Sequence, residues 1–161
     1  MKILKRIIIV VLAIIALVVI VAYFLPRTIS TERSVLINTD DSTAFYIACS
    51  MKNGDFWEEK SPPTVVYETI GGCEEGTIQK WEGESMRNGM MTLTEMVPLK
   101  KLRWDIEYEG ASEKWTYIVT IDKEGNHILV TWGIEIDLGY NPTLRYMGLI
   151  MGEIWEPELD E

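Results

Sequence analysis

The stretch from residue 102 to residue 138 constrains the fold more than any other part of the sequence, because apolar and polar residues alternate along most of it. This period of two predicts half-buried antiparallel strands over residues 102–108, 114–122 and 128–138. The turn at residues 123–126 suits a hairpin, since Gly and Asn tolerate positive φ angles. The predicted buried face carries large rings on all three strands: Trp104, Tyr108, Trp115, Tyr117 and Trp132. Another part of the chain or a ligand must therefore cover this face.

The flanking sequence supplies further strands and short helices. Alternating or β-branched segments predict strands at residues 28–37, 65–70, 76–84 and 89–97. Short polar side chains at residues 38–41 are suited to cap a helix over residues 42–51, and a second short turn holds Phe56 and Trp57. An apolar stripe at helical spacing predicts a C-terminal helix: Leu144, Met147, Met151 and Ile154.

The N-terminus predicts a membrane anchor. After a short basic segment, a run of 19 uncharged residues begins at Ile7 and ends at Leu25. A helix of that length spans roughly 28 Å, close to the hydrocarbon core of a bilayer. The run is longer than the apolar part of a usual signal peptide, and no small-residue cleavage site follows it, so a retained anchor is preferred to a cleaved signal.

We therefore expect an anchor at residues 1–26 and one domain at residues 27–161. Lys and Arg before the apolar run favour a single-pass topology with the N-terminus in the cytoplasm and the domain outside. Arg27 and Arg33, on the far side of the run, weaken that preference.

The charge of the predicted domain excludes some functions. After residue 6, 12 Lys and Arg face 25 Asp and Glu, a formal charge of −13. Such a surface repels nucleic acid and anionic lipid. One His and two Cys are too few for the usual Cys/His zinc sites, so we expect no metal and no other cofactor.

Several short segments carry a resemblance to a known family. They are ERSVLIN at residues 32–38, Lys52-Asn53 followed by Trp57, Trp81-Glu82-Gly83, Gly89 followed by MTLTE at residues 91–95, Pro98, VTW at residues 130–132, and YMGL at residues 146–149 with Met151. In this order they resemble the membrane-anchored members of the SRPBCC, START-like superfamily, often labelled polyketide cyclase/dehydrase-like. The resemblance implies an α+β helix-grip domain, in which a curved antiparallel sheet wraps around a C-terminal helix with a cavity between them.

The C-terminal helix departs from the family pattern. Family members carry it well past the position of Pro157, whereas this sequence ends at Glu161. Either the sequence is a fragment, or the helix that covers the cavity is short. A short helix predicts exposed apolar sheet surface, which favours self-association or another partner.

The expected ligand-binding residues combine the large rings with apolar neighbours: Trp81, Met91, Leu93, Glu95, Trp104, Tyr117, Trp132, Ile134, Met147 and Met151. Glu95 shares strand parity with Leu93, and this parity alone would place it at the cavity as a desolvated carboxylate. A twist or bulge that turns Glu95 to solvent is slightly preferred, because carboxylates are seldom buried without a partner. Glu95 and Tyr117 are the catalytic candidates, and neither has a recognisable partner in the sequence.

The remaining polar residues are not expected to take part in binding or catalysis. His127, beside a hairpin turn, and Arg33, in the first strand, are expected to be solvated. Cys49 and Cys73 can form a disulfide if the domain lies outside the cytoplasm. One pair in a chain of this size is weak evidence, and we expect free thiols.

Three functions are compatible with these features. The preferred prediction is a membrane-tethered binding domain for a hydrophobic small molecule or lipid. The family label instead favours a cyclase, dehydrase or hydrolase, which needs a positioned acid or base, so we expect binding rather than catalysis. The third is a non-catalytic protein-interaction module that uses the exposed sheet face.

Overall fold

The computed structural model describes residues 2–50, 65–84 and 86–155, and the side chains of residues 3–50, 65–84 and 86–149. The helices and strands in these ranges are α1 (Lys2–Phe24), β1 (Thr28–Ile37), α2 (Asp41–Cys49), β2 (Val65–Ile70), β3 (Ile78–Gly83), β4 (Gly89–Val97), β5 (Lys101–Tyr108), β6 (Lys114–Glu124), β7 (His127–Asp137) and α3 (Pro142–Trp155). The seven predicted strands are confirmed, with small shifts at their ends. The predicted turn at Phe56 and Trp57 lies outside the described residues.

All seven strands form one antiparallel sheet in the order β1-β7-β6-β5-β4-β3-β2. β6 and β7 pair without a break, from Lys114 opposite Asp137 to Glu124 opposite His127. β1 pairs with β7 along its whole length, so the first strand lies beside the last. A curved antiparallel sheet followed by a C-terminal helix is the helix-grip architecture that the family resemblance implies.

α2 packs on one face of the sheet, which we call the inner face. The Asp40 carboxylate caps this helix by accepting hydrogen bonds from the Thr43 amide at 2.9 Å and the Thr43 hydroxyl at 2.7 Å. The cap satisfies an amide that has no partner within the helix. Ala44, Phe45 and Cys49 are the buried residues of α2. They pack with sheet residues to form the core: Leu93, Leu102, Trp104, Val119, Ile121 and Ile128.

A β-bulge in β4 sets the orientation of Glu95. The register shifts between Leu93 and Glu95, so Thr94 is the extra residue. After one extra residue, each following side chain projects from the opposite face of the sheet to the one that alternation predicts. Met96, and not Glu95, therefore shares the inner face with Leu93. Glu95 accepts hydrogen bonds from Lys101 Nζ at 2.9 and 3.1 Å on the outer face. Glu95 therefore does not face the cavity as strand parity alone would place it, and the preferred expectation of a bulge is confirmed.

Cys49 and Cys73 form a disulfide, so the expectation of free thiols is wrong. Cys49 ends α2, and Cys73 lies in the turn between β2 and β3. The sequence separation is 24 residues, and the Cα atoms are 5.5 Å apart. This pairing depends on how α2 docks on the sheet, which local sequence does not reveal.

α1 is long and apolar enough to cross a membrane between Ile3 and Phe24. Nearly all its side chains are exposed, and Ala22, at 1% exposure, is the exception. A helix that is apolar on every side and exposed to solvent suits lipid, and a signal sequence has the same composition.

α3 packs against β1 and against α1. Gly148 allows the close approach to the sheet, because a Cβ atom at this position would lie 2.8 Å from Leu138 Cδ1 and 2.9 Å from Ile29 Cδ1. Met147, a predicted ligand residue, lies where α3 meets α1. The side chain of Met151 lies outside the described part of the chain.

Candidate ligand-binding face

The strand register brings most of the predicted ligand-binding residues to the inner face. Cross-strand partners project from the same side of a sheet, and one such row runs from Leu93 on β4 to Ile134 on β7. The bulge excludes Glu95 from this face, and Met147 lies instead at the contact with α1. The predicted residues that share the inner face are Trp81, Met91, Leu93, Trp104, Tyr117, Trp132 and Ile134.

α2 divides the inner face into a closed part and an open part. Leu93 is 0% exposed and Trp104 is 2% exposed, because both belong to the core under α2. A ligand cannot reach them unless the helix moves. Met91, Tyr117 and Trp132 are only partly buried and pack against the edge of that core. The surface available to a ligand is therefore the part of the inner face beyond the core.

Five aromatic side chains, which we call the aromatic wall, lie in contact along this face: Trp81, Tyr108, Trp115, Tyr117 and Trp132. The ring centroids of Trp81 and Tyr108 are 5.7 Å apart and those of Tyr108 and Trp115 are 5.6 Å apart, both edge to face. Tyr117 and Trp132 are 5.5 Å apart and tilted. The phenol groups of Tyr108 and Tyr117 lie close enough to affect each other's pKa, so the two sets adjoin. Such contacts stabilise the rings side by side, and all five belong to one sheet face.

The two phenol groups in the wall are weak acids that stay neutral. Burial raises the pKa of Tyr108 and that of Tyr117 above the usual range for a phenol. Both hydroxyl groups therefore stay protonated at physiological pH. Tyr117, a predicted catalytic candidate, can act as a hydrogen-bond donor but not as a general base.

Trp81 is held at one end of the wall by its surroundings. The indole Nε1 donates a hydrogen bond to the carbonyl oxygen of Arg87 at 2.9 Å. The ring lies over Gly89, where an added Cβ atom would lie 2.5 Å from the indole Cζ2 and 2.8 Å from the Glu107 carbonyl oxygen. Only glycine at position 89 therefore leaves room for the ring.

Sequence reasoning missed the position of Arg33. This residue pairs with Trp132, so its side chain begins on the inner face beside the aromatic wall. It is partly buried, and its Nη1 donates to the Glu32 carbonyl oxygen at 3.3 Å. The side chain of Arg33 is therefore only partly solvated. Its parity with Val35 and Ile37 was the signal that could have shown this.

The described residues contain no group of three or more His, Cys, Asp or Glu side chains that could hold a metal ion. His127 is exposed at the start of β7, beside the hairpin turn, which agrees with its predicted solvation. The chemistry of the face is that of aromatic rings, apolar side chains, the two phenol groups and the guanidinium of Arg33.

The strand order, the helix α2 and the C-terminal helix define a helix-grip fold, which is also the fold of solved Bet v1-like, or SRPBCC, proteins. A point mutant of norcoclaurine synthase from Thalictrum flavum, in complex with a transition state analogue, has a TM-score of 0.57 and 10% identity, covering 70% of this chain and 77% of its own. The same enzyme is also solved in complex with dopamine and hydroxybenzaldehyde.

Two further neighbours come from other organisms. Major latex-like protein 151 from Panax ginseng has a TM-score of 0.55 and 15% identity, covering 79% of this chain and 93% of its own. CalU16 from Micromonospora echinospora has a TM-score of 0.51 and 18% identity, covering 81% and 71%. No family model and no curated protein matches the chain. These similarities confirm the fold that the resemblance implied.

Proposed function

We propose that this protein is a membrane-tethered domain that binds a hydrophobic small molecule or lipid on the aromatic wall. The observation that carries the proposal is the open part of the inner face, where Tyr117 and Trp132 remain partly exposed beside a closed core. A contiguous apolar surface next to a few oriented polar groups is typical of a ligand site.

The wall suits an apolar ligand with one polar group. Removing roughly 300 Å² of apolar surface from water contributes about 7 kcal/mol, before the cost of ordering the ligand. The hydroxyl groups of Tyr108 and Tyr117 can donate a hydrogen bond to an oxygen of the ligand and so orient it. The structures of norcoclaurine synthase with small aromatic molecules support a binding role for this fold.

α1 supports the tether, since its length matches a bilayer and its apolar side chains are exposed. The disulfide between Cys49 and Cys73 supports a domain outside the cytoplasm, because disulfides persist in oxidising compartments. The basic residues before α1 favour the same orientation.

A cyclase-type enzyme is the second candidate, and the phenol pair in the wall favours it. A protonated Tyr117 beside a bound carbonyl oxygen would donate a hydrogen bond as that oxygen gains charge. Tyr117→Phe removes this donor and keeps the ring. Under the enzyme proposal the variant loses turnover and keeps its ligand.

Extraction of bound molecules from the full chain tests the binding proposal. The protein is purified in mild detergent, its bound molecules are identified by mass spectrometry, and their amount per mole of protein is compared between two variants of β7. Trp132→Ala removes a ring of the wall. Leu129→Ala is the matched control, because Leu129 is also partly buried but pairs with Leu36 on the outer face.

We expect one apolar species to be retained by the wild type and by Leu129→Ala, and to bind about tenfold more weakly to Trp132→Ala, a loss of about 1.4 kcal/mol. Lipids that surround α1 should be equal in all three proteins. If only those shared lipids are found, or if the two variants lose the same amount, the wall is not a binding site.

A further inference from the structure

α3 meets α1 through its first turns. The Tyr146 hydroxyl donates a hydrogen bond to the Val18 carbonyl oxygen at 2.8 Å. Arg145 Nη1 donates to the carbonyl oxygens of Ala22 at 3.3 Å and Tyr23 at 3.2 Å. Because the two contacts lie at neighbouring positions of α3 but about a turn apart on α1, the helices cross instead of running side by side.

Arg145 fixes this crossing. Its side chain is buried, with 5% exposure, and its Nε and Nη2 donate to the Gly139 carbonyl oxygen at 2.9 and 2.8 Å. The guanidinium also lies 5.7 Å from the ring centroids of both Tyr23 and Tyr140. The last carbonyl groups of a helix have no partner within it, and a cation there is favourable to the helix dipole. Arg145 therefore caps α1 from the far end of the chain.

The contact at Val18 lies within the apolar length of α1. The 22 residues from Ile3 to Phe24 span about 33 Å, little more than the ~30 Å hydrocarbon core of a bilayer. Val18 lies about 9 Å before Phe24 along the helix axis. When α1 crosses a bilayer, the atoms that touch Val18 are therefore at the depth of the lipid chains.

The two flanks of α3 differ in depth. Met147 lies beside Val18 and Val19, towards the N-terminus of α1, whereas Arg145 lies beside Ala22 and Tyr23, towards its end. Leu149 follows Arg145 by four residues and shares its flank. Met147 is thus on the deep flank, and Leu149 is on the shallow flank.

An open crevice of about 470 Å³ lies between the two helices on the deep flank, lined by Val18, Val19, Pro142, Thr143, Tyr146 and Met147. Its lining carries no charge. It continues the exposed apolar surface of α1, which includes Ile14 and Ile15. Lipid that surrounds α1 therefore has direct access to it.

We propose that α3 is a second membrane contact: it lies across α1 in the membrane interface, its deep flank touches lipid, and an acyl chain occupies the crevice. The proposal rests on the membrane tether proposed above and adds a fixed orientation of the domain. In this orientation Ile29, which α3 covers, lies in the same cross-strand row as Trp115 of the aromatic wall. Two strand spacings, about 10 Å, separate them. One end of the wall therefore lies close to the lipid surface.

Photo-crosslinking to lipid tests this placement in the full chain. A benzophenone amino acid replaces one residue at a time, and the protein is reconstituted in vesicles of phosphatidylcholine. This lipid has no net charge, so the acidic domain does not repel it as it would repel an anionic lipid. Four positions of similar exposure are compared: Ile14 at 55%, Met147 at 46%, Leu149 at 54% and Leu36 at 54%. Phospholipid adducts are counted by mass spectrometry after irradiation.

We expect adducts from Ile14 and Met147 at similar yield, at least fivefold fewer from Leu149, and none above background from Leu36. Adducts from Ile14 without adducts from Met147 overturn the inference and leave the tether standing. An equal yield from Leu149 and Met147 also overturns the inference, because both flanks of α3 would then touch lipid to the same extent. A lack of adducts from Ile14 overturns the tether itself.

Discussion

Substitution of Gly89 by alanine should destabilise the domain through Trp81. The added Cβ atom would lie 2.5 Å from the indole Cζ2 and 2.8 Å from the Glu107 carbonyl oxygen, far inside normal contact distance. Relief requires either a shift of the buried ring, which strains the hydrogen bond from its Nε1 to Arg87, or a local opening of β4 from β5. Overpacking typically costs 1–3 kcal/mol and a strained hydrogen bond about 1 kcal/mol, so we expect a loss of about 2–4 kcal/mol.

Thermal unfolding of the full chain in detergent measures this loss. At about 2–4 °C per kcal/mol, the unfolding midpoint should fall by roughly 4–16 °C. Gly72→Ala is the matched control, since an added Cβ atom there meets nothing within 4 Å. The near-ultraviolet circular dichroism of Gly89→Ala should change as well, because Trp81 contacts Tyr108. Equal midpoints for the two variants would show that the ring does not lie over Gly89.

Three other changes have defined outcomes. Cys73→Ser removes the link to Cys49 and should cost about 3.5 kcal/mol by chemical denaturation, from the entropy of a loop closed over 24 residues. Arg27 donates two hydrogen bonds to Asp137 and holds the pKa of that carboxyl at about 2. The pair therefore contributes stability above about pH 4, which is lost as the pH falls towards 2, and Arg27→Gln should raise this pKa in a carbonyl NMR titration. Arg145→Lys keeps the charge without the forked donors and should lower stability by about 2 kcal/mol in thermal unfolding.

Each of these predictions has its own control. Wild-type protein under reducing conditions should lose as much stability as Cys73→Ser, and a smaller loss would contradict the loop-closure argument. Lys123→Gln, at an exposed position near the β6–β7 turn, should leave the pKa of Asp137 unchanged. Arg87→Lys keeps an exposed ion pair with Glu113, and it should change stability far less than Arg145→Lys.

The sheet was predictable from the sequence because side-chain alternation directly reports which face of a strand is buried. Each of Trp104, Tyr117 and Trp132 lies among the apolar positions of its own alternating strand. The register between the strands places all three rings on one face of the sheet. The cap at Asp40 was predictable for a similar reason, since a short polar side chain acts within a few residues of its own position.

The candidate site was predictable only in part. The bulge at Thr94 has no signature in the local sequence, so the parity rule failed for Glu95. The exposure of a side chain also depends on what covers it. The helix α2 buries Trp104 and Leu93, whereas Trp132 stays partly exposed, and the alternation pattern does not distinguish between them.

The sequence by itself determined the elements of this protein: an apolar N-terminal helix, seven strands with one aromatic face, and a C-terminal amphipathic helix. These follow from short-range periodicity, which each segment carries within its own residues. Only the tertiary structure decided that Cys49 meets Cys73, that Arg145 caps α1, and that part of the aromatic face stays open. Such contacts join residues far apart in the chain, and they are set by how the elements pack together.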